Sequence, residues 1–177
     1  CASQEQEILD DPETDLIILT TPHSQHADGI CGTLAAGKAV FVEKPLAIDT
    51  EQLERVRQAT EAHPHGLMVG FNRRFSPLAV ELKDHFRGAG PLMAMYRCNA
   101  GPVPAEHWIG DPAEGGRIIG EACHFFDLFA YLTDAKPISV TAATPASGSA
   151  DDAAVTVRYA DGSVCQLCYT SLGTGSF

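Results

Sequence analysis

With 177 residues, 45% of them hydrophobic, the chain can bury a sizeable core as one large domain or two small ones. Its net charge of −11 argues against nucleic acid as a partner, since phosphate contacts need clustered Lys and Arg. No apolar run approaches the roughly 20 residues of a membrane-spanning helix, and six scattered cysteines, mostly inside apolar runs, fit reduced thiols of a cytoplasmic protein better than a disulfide framework.

The opening CASQEQEILD is polar and acidic, unlike a signal peptide. It lacks an initial Met and reads as a helix-to-strand connection, so the chain reads as a piece of a longer protein. DLIILTTP (15–22) is a continuous apolar run, the pattern of a strand buried on both faces of a parallel sheet. A helical stripe follows at Ala27, Ile30, Cys31, Leu34 and Ala35, with Ser24 as its cap and Gly37 closing it. AVFV (39–42) is the next strand, completing a strand–helix–strand unit with short joints. The pattern repeats: Asp49 or Thr50 caps a helix with Leu53 and Val56 on its apolar side, and LMVGF (67–71) is a third strand. Alternating strands and helices argue for a doubly wound α/β sheet.

The character changes near residues 70–75. Ser76 and Pro77 open a helix, and residues 91–100 read as a strand. The Gly- and Pro-rich stretch 101–116 is a long loop. RIIGEACHFFDLFAYLT (117–133) reads as one apolar helix, and three strands follow, the last two joined by the hairpin signal Asp161-Gly162. The second half is therefore α+β with a mostly antiparallel sheet, and both halves look incomplete.

Ligands of open parallel sheets bind beyond the carboxyl ends of the strands. Three strand ends carry polar groups: Thr20, Thr21, Pro22 and His23; Glu43, Lys44 and Pro45; Asn72, Arg73 and Arg74. If the strands are parallel neighbours, the three clusters share one edge. Lys44 is then more than a surfacing lysine: an ammonium there can trade protons or stabilise an alkoxide. His124 lies in the apolar helix with Glu121 and Asp127 one turn away on either side, and either carboxylate can orient the imidazole. A histidine in such a helix is also commonly a satisfied core residue. His23 and His26 stand three apart, but two ligands do not make a metal site. CQLC (165–168) is half a zinc knuckle without a second half, and in a strand its cysteines face opposite sides. No metal site is expected. Trp108 either stacks on a ligand or pins the long loop.

The segments LIILTTPHSQHAD, AAGKAVFVEKPLAIDTEQ, LMVGFNRRFSP and HWIGDPAEGGRIIGEACHFFDL resemble, in that order, the Gfo/Idh/MocA family of NAD(P)-dependent sugar and polyol oxidoreductases. The ending GGRIIGEACHFFD is similar to a branch fused to a zinc-type alcohol dehydrogenase segment. The resemblance implies a partial Rossmann domain over 1–71 and a partial substrate and oligomerisation domain over 72–177. It implies that Lys44, on a frequently cis bond to Pro45, lies beside nicotinamide and substrate hydroxyl, that Thr21, Pro22 and His26 line the cofactor, and that His124 takes the hydroxyl proton. His23, Glu43, Pro45 and Asn72 join the cofactor-binding candidates, and Arg73, Trp108, Arg117 and Asp127 are the substrate candidates.

Two departures qualify this. Many members carry Asp four residues before the histidine, where this chain has Gly120. The neighbouring Glu121 is the substitute candidate, although on an α-helix its side chain leaves about 100° away. No G-x-G-x-x-G follows a strand anywhere in the chain, so the main pyrophosphate site is missing from it. The resemblance thus implies a parent using NAD or NADP on a carbohydrate-like substrate, a piece that alone binds no cofactor and is inactive, and a homodimer or larger assembly through the C-terminal sheet. The rival readings are a non-catalytic binding or assembly module and an NAD-dependent glycoside hydrolase of the same family.

Overall fold

The computed structural model describes residues 2–104, 106–146 and 151–172; Cys1, one of the six thiols, lies outside them. The chain divides into two units, Cys1–Gly70 with Ala113–Gly115, and Phe71–Pro112 with Gly116–Phe177.

In the first unit a short helix α1 (Glu5–Leu9) precedes β1 (Leu16–Leu19), and a 3-10 turn, His23–Gln25, leads into α2 (His26–Ala35). Then come β2 (Ala39–Val42), α3 (Thr50–Ala62) and β3 (Leu67–Val69). The three strands are parallel, in the order β1-β2-β3, with Leu16 beside Ala39 and Val40 beside Leu67. Their carboxyl ends therefore lie along one edge. Ala27, Ile30 and Leu34 of α2 and Val56 of α3 bury against Val40 and Val42, each large aliphatic contributing roughly 1.5–3 kcal/mol. The Asp49 carboxylate accepts from Gln52 N–H at 2.7 Å and so caps α3 as the sequence indicates. The expectation that β1 is buried on both faces does not hold, since Ile18 is 63% exposed. The physical reason is that α2 and α3 pack on one face of the sheet, while Ile18 and Met68, 50% exposed, lie in one row on the other.

In the second unit α4 (Pro77–Phe86) leads to β4 (Met93–Asn99); later come α5 (Cys123–Thr133), β5 (Pro137–Ala143), β6 (Ala153–Tyr159) and β7 (Val164–Thr170). Ser76 Oγ accepts from Ala79 N–H at 3.2 Å, with Pro77 in the first turn. The sheet order is β4-β7-β6-β5. β7 pairs antiparallel with β6 through the Asp161-Gly162 turn and parallel with β4, so the sheet is mixed. Gly162 has φ 92°, the left-handed region that favours glycine. Phe125 and Phe129 of α5 pack on Val155, Val157, Leu167 and Tyr169, while Met93 and Met95 on the other face are 82% and 73% exposed. Cys165 is buried and Cys168 exposed, the opposite facing that a strand requires.

The uniform helix expected over 117–133 is interrupted. Residues Ile118–Ala122 form a π-helical turn, and α5 starts after it at Cys123. The wider turn follows two left-handed glycines, Gly115 (φ 86°) and Gly116 (φ 64°). Through it the 100° spacing of an α-helix no longer describes where Glu121 points.

Candidate functional site

The first unit gathers polar groups on the carboxyl edge of its sheet. Beyond β1, Thr20, Thr21 and Pro22 are exposed, while His23 is 4% exposed. Beyond β2, Glu43 and Lys44 are half-buried, Pro45 is buried, and the Lys44–Pro45 peptide is cis. The Glu43 carboxylate lies against Gly70, where an added Cβ would stand 3.3 Å from its oxygens. Burial, opposed by a bond to the Glu114 carbonyl and assisted by the nearby Lys44 ammonium, pushes the His23 imidazole below its ordinary value. The Lys44 ammonium is thus near enough to act on the His23 ring.

His26 is fully buried. Its Nδ1 lies 2.7 Å from the Pro45 carbonyl oxygen and its Nε2 2.9 Å from that of Thr21. Both ring nitrogens are thereby engaged by main chain, and neither is offered to a cofactor in this conformation. The ring acts instead as a bracket between the end of β1 and the residue after Lys44. Ser24 likewise departs from its expected role. It is not the cap of α2; its N–H and hydroxyl donate to the two carboxylate oxygens of Glu114, at 2.9 and 2.8 Å.

The second unit holds the remaining candidates. Asn72, Arg73 and Arg74 form a 3-10 turn, Asn72–Phe75. The Arg73 guanidinium lies 4.6 Å over the Phe125 ring. Arg74 donates through both nitrogens of its fork to Asp127, which holds the guanidinium above its ordinary value. Asp127, 8% exposed in its side chain, is therefore engaged by Arg74 rather than orienting His124. His124 is half-buried near the start of α5, its ring edge-on to Phe71 at 6.2 Å. Arg117 is buried, donates to the Gly101 carbonyl at 2.7 Å and lies over the Tyr169 ring. Glu121 is half-buried, and its charge reaches Cys98 and Tyr169. Burial pushes the Tyr169 phenol up to about 12, with Arg117 opposing. Trp108, half exposed in its own 3-10 turn, stacks on His107 at 6.1 Å.

Residues 1–71 match the description "Oxidoreductase family, NAD-binding Rossmann fold", and residues 90–176 match "GFO/IDH/MocA C-terminal domain". The chain belongs to the Gfo/Idh/MocA family. Among its relatives, an inositol 2-dehydrogenase of Rhizobium meliloti is 32% identical over 133 residues, 73% of this chain and 40% of that protein. The scyllo-inositol 2-dehydrogenase (NAD(+)) of Bacillus subtilis is 32% identical over 139 residues, 76% of this chain and 40% of its own length. A solved structure from Sinorhizobium meliloti, described as a candidate myo-inositol dehydrogenase, superposes with TM-score 0.76 at 27% identity, covering 94% of this chain and 54% of that one. GenD2 from gentamicin A biosynthesis, solved in complex with NAD, has TM-score 0.81 at 23% identity over 99% of this chain and 53% of its own, a likeness of fold. The chain thus spans about two-fifths of the length of these curated relatives. The finer placement beside a zinc-type alcohol dehydrogenase segment gains no support from these Gfo/Idh/MocA relatives.

Two residues of these clusters, one in each unit, escaped the sequence. Glu114 sat in a stretch read only as loop, and its partner Ser24 lies 90 positions away. Tyr169 belonged to a strand with no mark of its neighbours Arg117 and Glu121. No local pattern carries either signal.

Proposed function

We propose that this chain is part of a dehydrogenase that oxidises a secondary hydroxyl of a sugar or polyol, with an inositol-like ring as the favoured substrate class. The observation that carries this reading is Lys44, half-buried at the carboxyl end of β2 and close enough to His23 for its charge to act on that ring. The names of the relatives supply the chemistry. NAD or NADP, if bound, would supply the hydride acceptor for the carbinol carbon.

The residues present fit the reactive end of such a cofactor. Thr20, Thr21 and Pro22 offer exposed backbone and hydroxyls on the edge where ligands of parallel sheets bind. The phosphates find no glycine-rich turn in this sequence, and the isolated chain is expected to hold no dinucleotide. Lys44, as a cation, lowers the cost of an alkoxide at the substrate oxygen. His124 is the acceptor of the hydroxyl proton, with Glu121 supporting it. Arg73, Arg117 and Trp108 are the candidate substrate contacts. Asp127 reaches substrate only if its pair with Arg74 opens.

The sheet face away from α5 is the proposed assembly surface. Met95, Thr141, Thr156, Gln166 and Cys168 line a shallow hollow of about 370 Å³ there. A Met95→Lys change that leaves the sedimentation of an oligomer untouched would remove this face from consideration.

The test of function is the parent protein with inositols and NAD or NADP. Lys44→Ala and His124→Ala should each cut turnover by roughly 10²–10⁴. Unchanged turnover in Lys44→Ala would favour a binding module, and bond cleavage without net NADH would favour a glycoside hydrolase.

A further inference from the structure

The chain enters the first unit a second time for only three residues, Ala113–Gly115, at the end of the long loop. Glu114 stands in the middle of them. Its carboxylate accepts the Ser24 N–H at 2.9 Å on one oxygen and the Ser24 hydroxyl at 2.8 Å on the other. Its backbone carbonyl lies 3.0 Å from His23 Nδ1. The Ser24 N–H belongs to the opening turn that runs into α2, where main-chain donors lack intrahelical acceptors and a negative charge is favoured. Gly115 and Gly116, at φ 86° and 64°, then turn the chain away. An added Cβ on Gly116 would meet nothing within 4 Å, so it is the backbone angle, not space, that calls for glycine there.

The carbonyl contact has a chemical consequence. A carbonyl oxygen only accepts, so the proton must sit on His23 Nδ1. Burial disfavours the charged ring, and a neutral ring with its proton on Nδ1 presents Nε2 as an acceptor. One residue therefore fixes both the end of the loop and the proton arrangement of a histidine on the candidate cofactor edge.

We propose that Glu114 is a positioning residue, which straps residues 113–115 to the entry of α2 and holds His23 as the Nδ1–H tautomer. Its consequence for turnover rests on the dehydrogenase reading; the strap itself does not. Losing it should loosen the loop end and let the His23 proton move between nitrogens, with Lys44 and Pro45 left in place.

The experiment uses the 177-residue chain with nitrogen-15-labelled histidine, its ring signals assigned through His23→Gln. Long-range ring correlations report the tautomer, and hydrogen exchange reports the Ser24 amide. Wild type should show Nδ1–H. Glu114→Ala and, independently, Ser24→Ala should each weaken that preference and speed Ser24 amide exchange in Glu114→Ala by at least about tenfold. Glu114→Gln keeps one acceptor oxygen and should fall between. A wild-type His23 protonated on Nε2, or a Glu114→Ala chain with unchanged tautomer and Ser24 exchange within about twofold of wild type, overturns the strap. In the parent enzyme Glu114→Ala should raise KM with kcat little changed. An inactive parent sinks the dehydrogenase reading while the two spectroscopic results still decide the strap.

Discussion

Replacing His26 with alanine removes a ring that lies between two main-chain carbonyls, 2.7 Å from Pro45 O and 2.9 Å from Thr21 O, at a position with no solvent exposure. A neutral imidazole satisfies one of these carbonyls and a protonated one both. Alanine satisfies neither. A buried carbonyl left without a donor costs about 1–3 kcal/mol, and the lost ring adds a cavity term, for a total of about 3–5 kcal/mol. At about 2–4 °C per kcal/mol for a chain of this size, the melting point should fall by roughly 6–20 °C. His26→Gln retains a donor for one carbonyl and should lose about half as much. Urea unfolding and thermal melts followed by far-ultraviolet circular dichroism give both numbers. A loss under about 1 kcal/mol for His26→Ala would refute the bracket, because it would mean that water or a shifted backbone satisfies both carbonyls at little cost.

The remaining predictions concern single contacts. Gly162→Ala should cost about 1–2 kcal/mol from the left-handed backbone at φ 92° alone, and a neutral result in the same melts would show that the turn relaxes. A double-mutant cycle of Arg74→Met with Asp127→Asn should return a coupling of about 1–3 kcal/mol, since the carboxylate is nearly buried; additivity would mean the fork is not formed in solution. For pH, the sign follows from His23, held below its ordinary 6.5 by burial: the unfolded chain binds more protons, so stability is full above pH 6.5 and falls as pH drops below it. Glu114, held below its ordinary 4.5 by Ser24, adds a second loss at lower pH. His23→Gln should flatten the first step of a stability-against-pH curve and leave the second.

Local signals carried the elements well. Asp49 before α3 and Ser76-Pro77 before α4 mark helix starts through their own side chains, and Asp161-Gly162 marks the β6–β7 turn through a backbone angle. The parallel order of β1, β2 and β3 follows from short strand–helix–strand joints, and it places Lys44 and Thr21 on one edge. What the sequence hid depends on distant partners. Ser24 looks like a cap until Glu114 supplies a stronger acceptor. His26 reads as lining the cofactor, and nothing local shows that its ring nitrogens face two main-chain carbonyls. Asp127 looks like a partner of His124 until Arg74 claims it. The π-turn at Ile118–Ala122 has no residue signature separable from an apolar helix, so the direction of Glu121 could not be read from spacing.

The place of β7 has a consequence for how the second unit is made. It is the last strand among the described residues, yet it lies between β6 and β4, the first strand of its sheet. The two outer partners cannot join without it: the link from Leu92 N–H to Ser163 Oγ already spans 71 positions. Until a ribosome has released residues through Thr170, β4 lacks the partner it has among the described strands, while the β5–β6 pair can already form. Such long-range closure is slow and leaves strand edges open in the meantime. A chain halted before Val164 should therefore gather into aggregates, whereas one that has passed Thr170 can join the four described strands in a single late step.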